Sequence, residues 1–223
     1  MIENKICDYQ MVRSDRRTIS ITVGRDGAVT VRAPLKTPEA EIRSFVEQKQ
    51  AWIRQAVQRQ QEKRDAVPAF AVGGSLPYLG GSLRLQTDKV RTPVEKDGIL
   101  FLPQSGEPRR HALRWLARQA ESYLPQRVAY WAEIMQLKPS TLTLANPRTR
   151  WSSMTTDGSL RLNVALMHCP PALIDYVIVH ELSHMRHMNH SPDFHAHTQR
   201  YLPDAKQRRA ALKQCGAYLT LFR

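Results

Sequence analysis

The sequence predicts an α+β protein in which a hairpin leads into a histidine-bearing helix. Three observations predict it. Ile19, Ile21 and Val23 alternate with Ser20 and Thr22, and Val29 and Val31 alternate with Thr30 and Arg32, the period of two of half-buried strands. Positions 42, 45, 46, 49, 52, 53 and 57 (Ile, Phe, Val, Lys, Trp, Ile, Val) recur at three- and four-residue steps, the period of an amphipathic helix. Strand-like runs between 148 and 164 then give way, at Pro170-Pro171, to an apolar stretch (Leu173, Ile174, Val177, Ile178) that ends in H-E-L-S-H.

In chain order, Arg25-Asp26-Gly27 is the turn between the first strands, and Pro34 closes them. Thr37-Pro38-Glu39 supplies an N-cap, a first helical proline and an acidic first turn for a helix to about Arg64, with Trp52 in the core. Residues 69–103 are rich in glycine and proline. Gly73-Gly74, Gly80-Gly81 and Asp97-Gly98 punctuate short strands such as Ser82–Gln86 and Ile99–Leu102. A helix follows from Pro108 to about Leu124, and Pro125 either kinks it or opens the next, which carries Val128, Trp131, Ile134 and Met135. Thr141–Leu144 is a strand, and Arg148–Met154 pairs with Ser159–Val164 around a Thr-Thr-Asp-Gly turn. Two helices, 192–201 and 203–218, end the chain. The expected division is an N-terminal strand-helix-strand subdomain, 1–106, and a second domain, 107–223, that carries the histidines.

A length of 223 residues with 42% hydrophobic content fits one compact domain or two small ones. No apolar run approaches a membrane span and Met1–Cys7 has no apolar signal region, which points to a cytoplasmic protein without a membrane span. Three cysteines (Cys7, Cys169, Cys215) without paired spacing argue against a disulfide framework and a cysteine zinc site. The formal charge of +13 favours polyanions. A stripe of Arg110, Arg114 and Arg118 and a cluster of Lys206, Arg208, Arg209 and Lys213 are the candidate contacts for nucleic acid. The bland alternative is a solvated basic surface. Nothing in the sequence sets an oligomeric state.

The chemistry concentrates in V-I-V-H-E-L-S-H-M-R-H-M-N-H-S-P-D-F, residues 177–194. His180 and His184 are four apart, so a helix places both imidazoles on one face, one turn apart. A catalytic zinc takes three protein ligands and keeps a fourth position for water. The third must come from chain that has turned back. His187 would lie too far along the same helix unless that helix ends early, and His195 and His197 belong to the next helix. His190 follows Asn189, a residue that tolerates the left-handed conformation ending many helices, and Ser191-Pro192 reads as the cap and first residue of a new helix. The turn is expected at about Met188–His190, with His190 as third ligand. Glu181, next to the first ligand, points at the water as general base. Zn2+ is therefore the expected cofactor. A structural zinc would need a fourth protein ligand, for which His168, Cys169, His187 and His195 are the candidates.

Arg150-Trp151-Ser152-Ser153, Leu160-Arg161-Leu162-Asn163 and the histidine motif together resemble the YgjP-like bacterial metallopeptidases, relatives of the WLM and SprT-type zinc proteases. Arg16-Arg17-Thr18, Val31-Arg32-Ala33-Pro34 and Trp52-Ile53 extend the resemblance over most of the chain. It implies a zincin-like fold, a small mixed sheet packed on the metal helix. It implies zinc ligands at His180, His184 and His190 and a catalytic glutamate at Glu181. The 150–163 hairpin is the candidate edge for holding an extended substrate by strand addition. Two places depart from the common pattern: Ser152 and Met154 stand in R-W-S-S-M where R-W-G-S-C is usual, and His195 stands where a Trp is common. The function so implied is a zinc-dependent endopeptidase acting on protein or peptide. The alternatives are a zinc hydrolase of another amide or ester, and a basic nucleic-acid-associated binding protein with structural zinc. Some SprT and WLM relatives act on proteins attached to DNA, which adds nucleic acid as a possible partner.

Overall fold

The computed structural model describes residues 8–24, 26–65 and 70–222. The chain divides into two compact units, Met1–Ala66 and Val67–Arg223.

In the first unit, β1 (Tyr9–Ser14), β2 (Ser20–Val23) and β3 (Val29–Pro34) form a sheet of order β1-β3-β2. β2 runs antiparallel to the central β3 and β1 runs parallel to it. Val29, Val31 and Ala33 alternate inward from β3 and meet Ile42, Val46 and Ile53 of two helices. Arg25 of the expected turn lies outside the described residues. The single helix expected here is two, α1 (Glu39–Gln48) and α2 (Gln50–Asp65). The chain leaves helical geometry at Lys49 (φ −97, ψ 4). Trp52 is not core: it is 45% exposed. Ile53 takes the inward position, and its neighbour is displaced about 100° round the helix. Arg13 donates to the carbonyls of Pro34, Leu35 and Thr37 at 3.3, 3.1 and 2.8 Å, which ties the β3–α1 connection.

The second unit begins with a four-stranded sheet of order β4-β5-β7-β6: β4 (Ser75–Tyr78), β5 (Gly81–Asp88), β6 (Val94–Lys96) and β7 (Ile99–Pro103). Asp97 (φ 52) and Gly98 (φ 76) make the two-residue left-handed turn that suits the β6–β7 hairpin. Leu76, Leu85, Leu100 and Leu102 share one core with Leu116, Ala120 and Leu124 of α3 (Pro108–Met135). The division expected at 106/107 therefore does not match the compact units, because these strands bury their apolar face on the helix that follows. α3 is one continuous helix through Pro125.

A second, mixed sheet has the order β8-β10-β9. Its central strand β10 (Ser159–Asn163) runs parallel to β8 (Thr141–Ala145) and antiparallel to β9 (Ser152–Met154), the expected hairpin. Asn163 ends β10 and organises what surrounds it. Its amide donates to the carbonyls of Pro147 and Arg150 at 2.8 and 3.0 Å, and its side-chain oxygen accepts from Ala165 N–H at 2.9 Å. The last contact caps a short 3-10 helix, Val164–His168, which delivers the chain to α4 (Pro171–His184). α4 packs against α3, β9, α5 (Pro192–Tyr201) and α6 (Ala205–Gln214). Arg127 of α3 grips Asp175 of α4 with three hydrogen bonds of 2.7–2.9 Å. The protein is thus α+β, with a mixed sheet packed on the H-E-x-x-H helix as the zincin-like expectation required. Among the described residues, no helix is long and apolar enough to cross a membrane.

Candidate metal centre

α4 is apolar on nearly every side, as suits a helix enclosed by packing. Leu173, Ile174, Val177, Ile178 and Leu182 are buried, and His180, Glu181 and His184 occupy its C-terminal turns. The helix ends at His184, one turn earlier than expected. Met185 N–H bonds to Leu182 and Arg186 N–H to Ser183, both at 3.1 Å, so the last turn tightens into i→i+3 bonds. Asn189 does not supply the left-handed residue expected of it; the chain turns without one there.

Two contacts fix this turn. His184 Nδ1 lies 3.1 Å from the His187 carbonyl, which can only accept, so Nδ1 is the donor and, in the neutral ring, Nε2 holds the lone pair. Ser191 then caps α5, accepting from Phe194 N–H at 3.3 Å, as its sequence position predicts. α5 is fastened to α4 at Ser183: Thr198 Oγ1 donates to Ser183 Oγ at 3.3 Å, His197 Nδ1 lies 3.1 Å away, and the Ser183 hydroxyl donates to the Val179 carbonyl at 2.7 Å.

The result brings His180, His184 and His190 together, with nitrogen donors all within 4.8 Å of one another. His190 Nε2 and His180 Nε2 are 3.1 Å apart. The fully buried Phe194 ring supports all three imidazoles, its centroid 4.9, 4.6 and 4.9 Å from those of His180, His184 and His190. Burial, reinforced by the neighbouring His184 and His190, holds His180 down to a pKa of about 3, so its ring is neutral and free to donate a lone pair at pH 7. His187 points elsewhere and packs on His197 at 5.6 Å. Among the described residues, no further His, Cys, Asp or Glu joins the group. His168, one candidate for a fourth ligand, is instead buried between Tyr218 and Phe222, with Nδ1 2.8 Å from the Pro77 carbonyl.

Glu181 is buried, 6% exposed, on the side of α4 that meets β9. Ser152 Oγ donates to its Oε1 at 2.7 Å, and the Met154 backbone N–H also donates to the carboxylate. Burial raises its pKa, partly opposed by the Ser152 hydrogen bond. Both contacts come from β9, the strand that carries Ser152 and Met154. Along β9 the bonds to β10 use alternate residues: Asn163 N–H reaches Trp151 O at 2.8 Å and Thr155 N–H reaches Ser159 O at 3.1 Å. The intervening alternation turns the backbone groups of Ser152 and Met154 to the open edge.

A cleft of about 280 Å³ runs past these residues, lined by Trp151, Ser152, Tyr176, His180, Glu181 and His190 on one side and by Arg209, Leu212 and Lys213 of α6 on the other. An adjoining hollow of about 240 Å³ adds Phe194, His195, Thr198 and Lys206. Arg186, His187, Asn189 and Tyr201, all near the histidine motif in sequence, line neither hollow. Tyr176 and Arg209 line both. Tyr176 sits one turn before His180, a relation visible in the sequence. Arg209 is almost thirty residues away, and no local signal announces it.

A family model for the YgjP-like metallopeptidase domain matches residues 17–215. The chain belongs to the YgjP-like metallopeptidases. As a member of that family it is a hydrolase that works with a metal ion on protein substrate. Two solved structures are similar to this YgjP-like chain, both metallopeptidase zymogens. The one from Pyrococcus abyssi, abylysin, is 16% identical over 40% of this chain and 90% of its own, with a TM-score of 0.37. The one from Methanocaldococcus jannaschii, jannalysin, is 19% identical over 41% of this chain and 94% of its own, also with a TM-score of 0.37. No curated protein matches the chain significantly.

Proposed function

We propose that this chain is a zinc-dependent endopeptidase with His180, His184 and His190 as ligands and Glu181 as general base. The observation that carries the reading is the convergence of three imidazoles beside a buried carboxylate that β9 holds in place. The donor set suits zinc: three imidazole nitrogens with, among the described residues, no fourth protein donor is the pattern of a catalytic site. Two nitrogens bound at about 2.0–2.1 Å in tetrahedral geometry stand roughly 3.3 Å apart, close to the 3.1 Å between His180 and His190. A zinc ion there supplies Lewis acidity, polarising a carbonyl oxygen and bringing the pKa of water to about 7.

The chain's own residues do the rest. Glu181 accepts the proton of the attacking water and delivers it to the leaving amine. Ser152 and Met154 N–H keep its carboxylate aimed while it does so. The open edge of β9 offers Ser152 N–H and C=O to an extended substrate, pairing it as an added strand across the cleft.

The test pairs metal analysis with hydrolysis of an unstructured protein such as casein. Glu181→Gln retains stoichiometric zinc and loses at least ~10²-fold in rate, the usual contribution of a positioned general base. Alanine at His180, His184 or His190 loses the metal, and His187→Ala keeps it. Full zinc affinity in His190→Ala with loss in His187→Ala removes the third ligand. Wild-type turnover in Glu181→Gln removes the base.

A further inference from the structure

The basic cluster of the last helix does not act as one patch. Arg208 turns back on its own helix: Nε donates to Asp204 Oδ1 and Oδ2 at 2.8 and 2.9 Å, and Nη1 to the Ala172 carbonyl at 2.9 Å. Its charge is spent on joining α6 to α4. Lys206, Arg209 and Lys213 stand at i, i+3 and i+7, one face of α6, and that face lines the cleft. Arg209 borders both hollows, with Tyr176 and His180. Among the described residues, none of the three cations has an acidic partner, and Glu181, already held by Ser152, is the only carboxylate on either hollow. The wall facing the metal centre thus carries three uncompensated positive charges. Hollows of about 240 and 280 Å³ admit single side chains or a chain end, not a duplex.

We infer that Lys206, Arg209 and Lys213 form a carboxylate-binding subsite that selects substrates with an acidic group next to the bond to be cut. The inference rests on the peptidase reading and names the substrate class for it. A carboxylate there replaces lost hydration with charge-assisted hydrogen bonds, and the guanidinium of Arg209 offers the planar fork that matches it. A basic side chain in the same place meets three like charges. The carboxylate can come from a Glu or Asp side chain or from the substrate's own C-terminus.

Fluorescent ten-residue peptides test this by anisotropy, in the full-length Glu181→Gln protein so that nothing is cut. One peptide carries central Glu residues with both ends blocked, the second has Gln in their place, and the third is the Gln peptide with a free α-carboxylate. The Glu peptide or the free-end peptide binds roughly tenfold more tightly than the blocked Gln peptide at low salt, the sum of a few partly exposed ion pairs. Adding Lys206→Gln, Arg209→Gln and Lys213→Gln abolishes that preference. Removing three charges elsewhere, with Arg110→Gln, Arg114→Gln and Arg118→Gln, leaves it intact. A preference for the free end alone upholds the subsite and turns the enzyme into one that trims C-termini. Equal affinity for all three peptides overturns the inference. So does equal loss in both triple variants, or tight binding of labelled single-stranded DNA with no discrimination among peptides, since each makes the charge a diffuse polyanion surface. The two readings fail separately. If the wild type hydrolyses Glu and Gln peptides with one kcat/KM and binds them alike, the subsite falls and the peptidase stands. If nothing is hydrolysed while the preference persists, the peptidase falls and the subsite stands.

Discussion

Ser152 shows how one hydroxyl joins the sheet to the chemistry. It sits on β9 and donates to Glu181 at 2.7 Å. A buried carboxylate that loses a donor is both less well satisfied and less well aimed; a hydrogen bond to a charged group is worth about 1.5–3 kcal/mol. Ser152→Ala therefore lowers kcat/KM by roughly ten- to a hundredfold. Metal content does not change, because none of the three proposed ligands is touched. Unaltered kinetics in that variant would show the hydroxyl to be a passenger of the fold. Arg208 and Arg209 teach the complementary point. They are adjacent and chemically identical, yet one braces two helices and the other faces the cleft.

At the scale of elements, the proposed metal centre is a joint between α4 and α5. α4 supplies two imidazoles and α5 supplies the ring beneath them, with the Ser183–Thr198–His197 contacts holding the two helices in register. Phe194 is the part of α5 that touches all three histidines. Truncating it to Ala costs about 3–5 kcal/mol of stability as a buried aromatic. Phe194→Leu is the more telling variant. It keeps an apolar filling but removes the flat support, so zinc affinity, read by competition with a chromogenic chelator, falls at least ~10-fold, as for other residues that orient metal ligands. A lower melting temperature with unchanged zinc affinity would limit Phe194 to packing.

For the whole molecule, pH acts through a histidine far from the reaction. His168 is buried, and burial depresses its pKa to about 4, only partly countered by its hydrogen bond to Pro77 O. The fold accepts the neutral ring and the unfolded chain prefers the protonated one below its ordinary value of 6.5. The contribution is therefore complete above about pH 6.5 and drains away as pH falls toward 4, by at most roughly 3 kcal/mol. Urea unfolding at a series of pH values checks this. Wild type loses stability relative to His168→Phe steadily from pH 7 to pH 4.5; a constant difference means the residue does not titrate on unfolding.

What the sequence determined by itself was local. The period of two, the period of 3.6, the Ser191-Pro192 cap and the four-residue spacing of His180 and His184 are set by backbone geometry within a few residues, and each is found in the structure. So were the 150–163 hairpin and its place before the metal helix. What the tertiary structure decided were the relations that packing sets. Trp52 is exposed because Ile53 outcompetes it for the core, which periodicity alone does not rank. The strands from 75 to 103 join the larger unit because their apolar face is buried on α3, a partner more than a dozen residues away for most of them. The turn before His190 closes through i→i+3 bonds and a histidine–carbonyl contact, so it needs no left-handed asparagine. Arg209 enters the cleft because α6 folds back over α4, and a charge on a helix face carries no local mark of the surface it will meet.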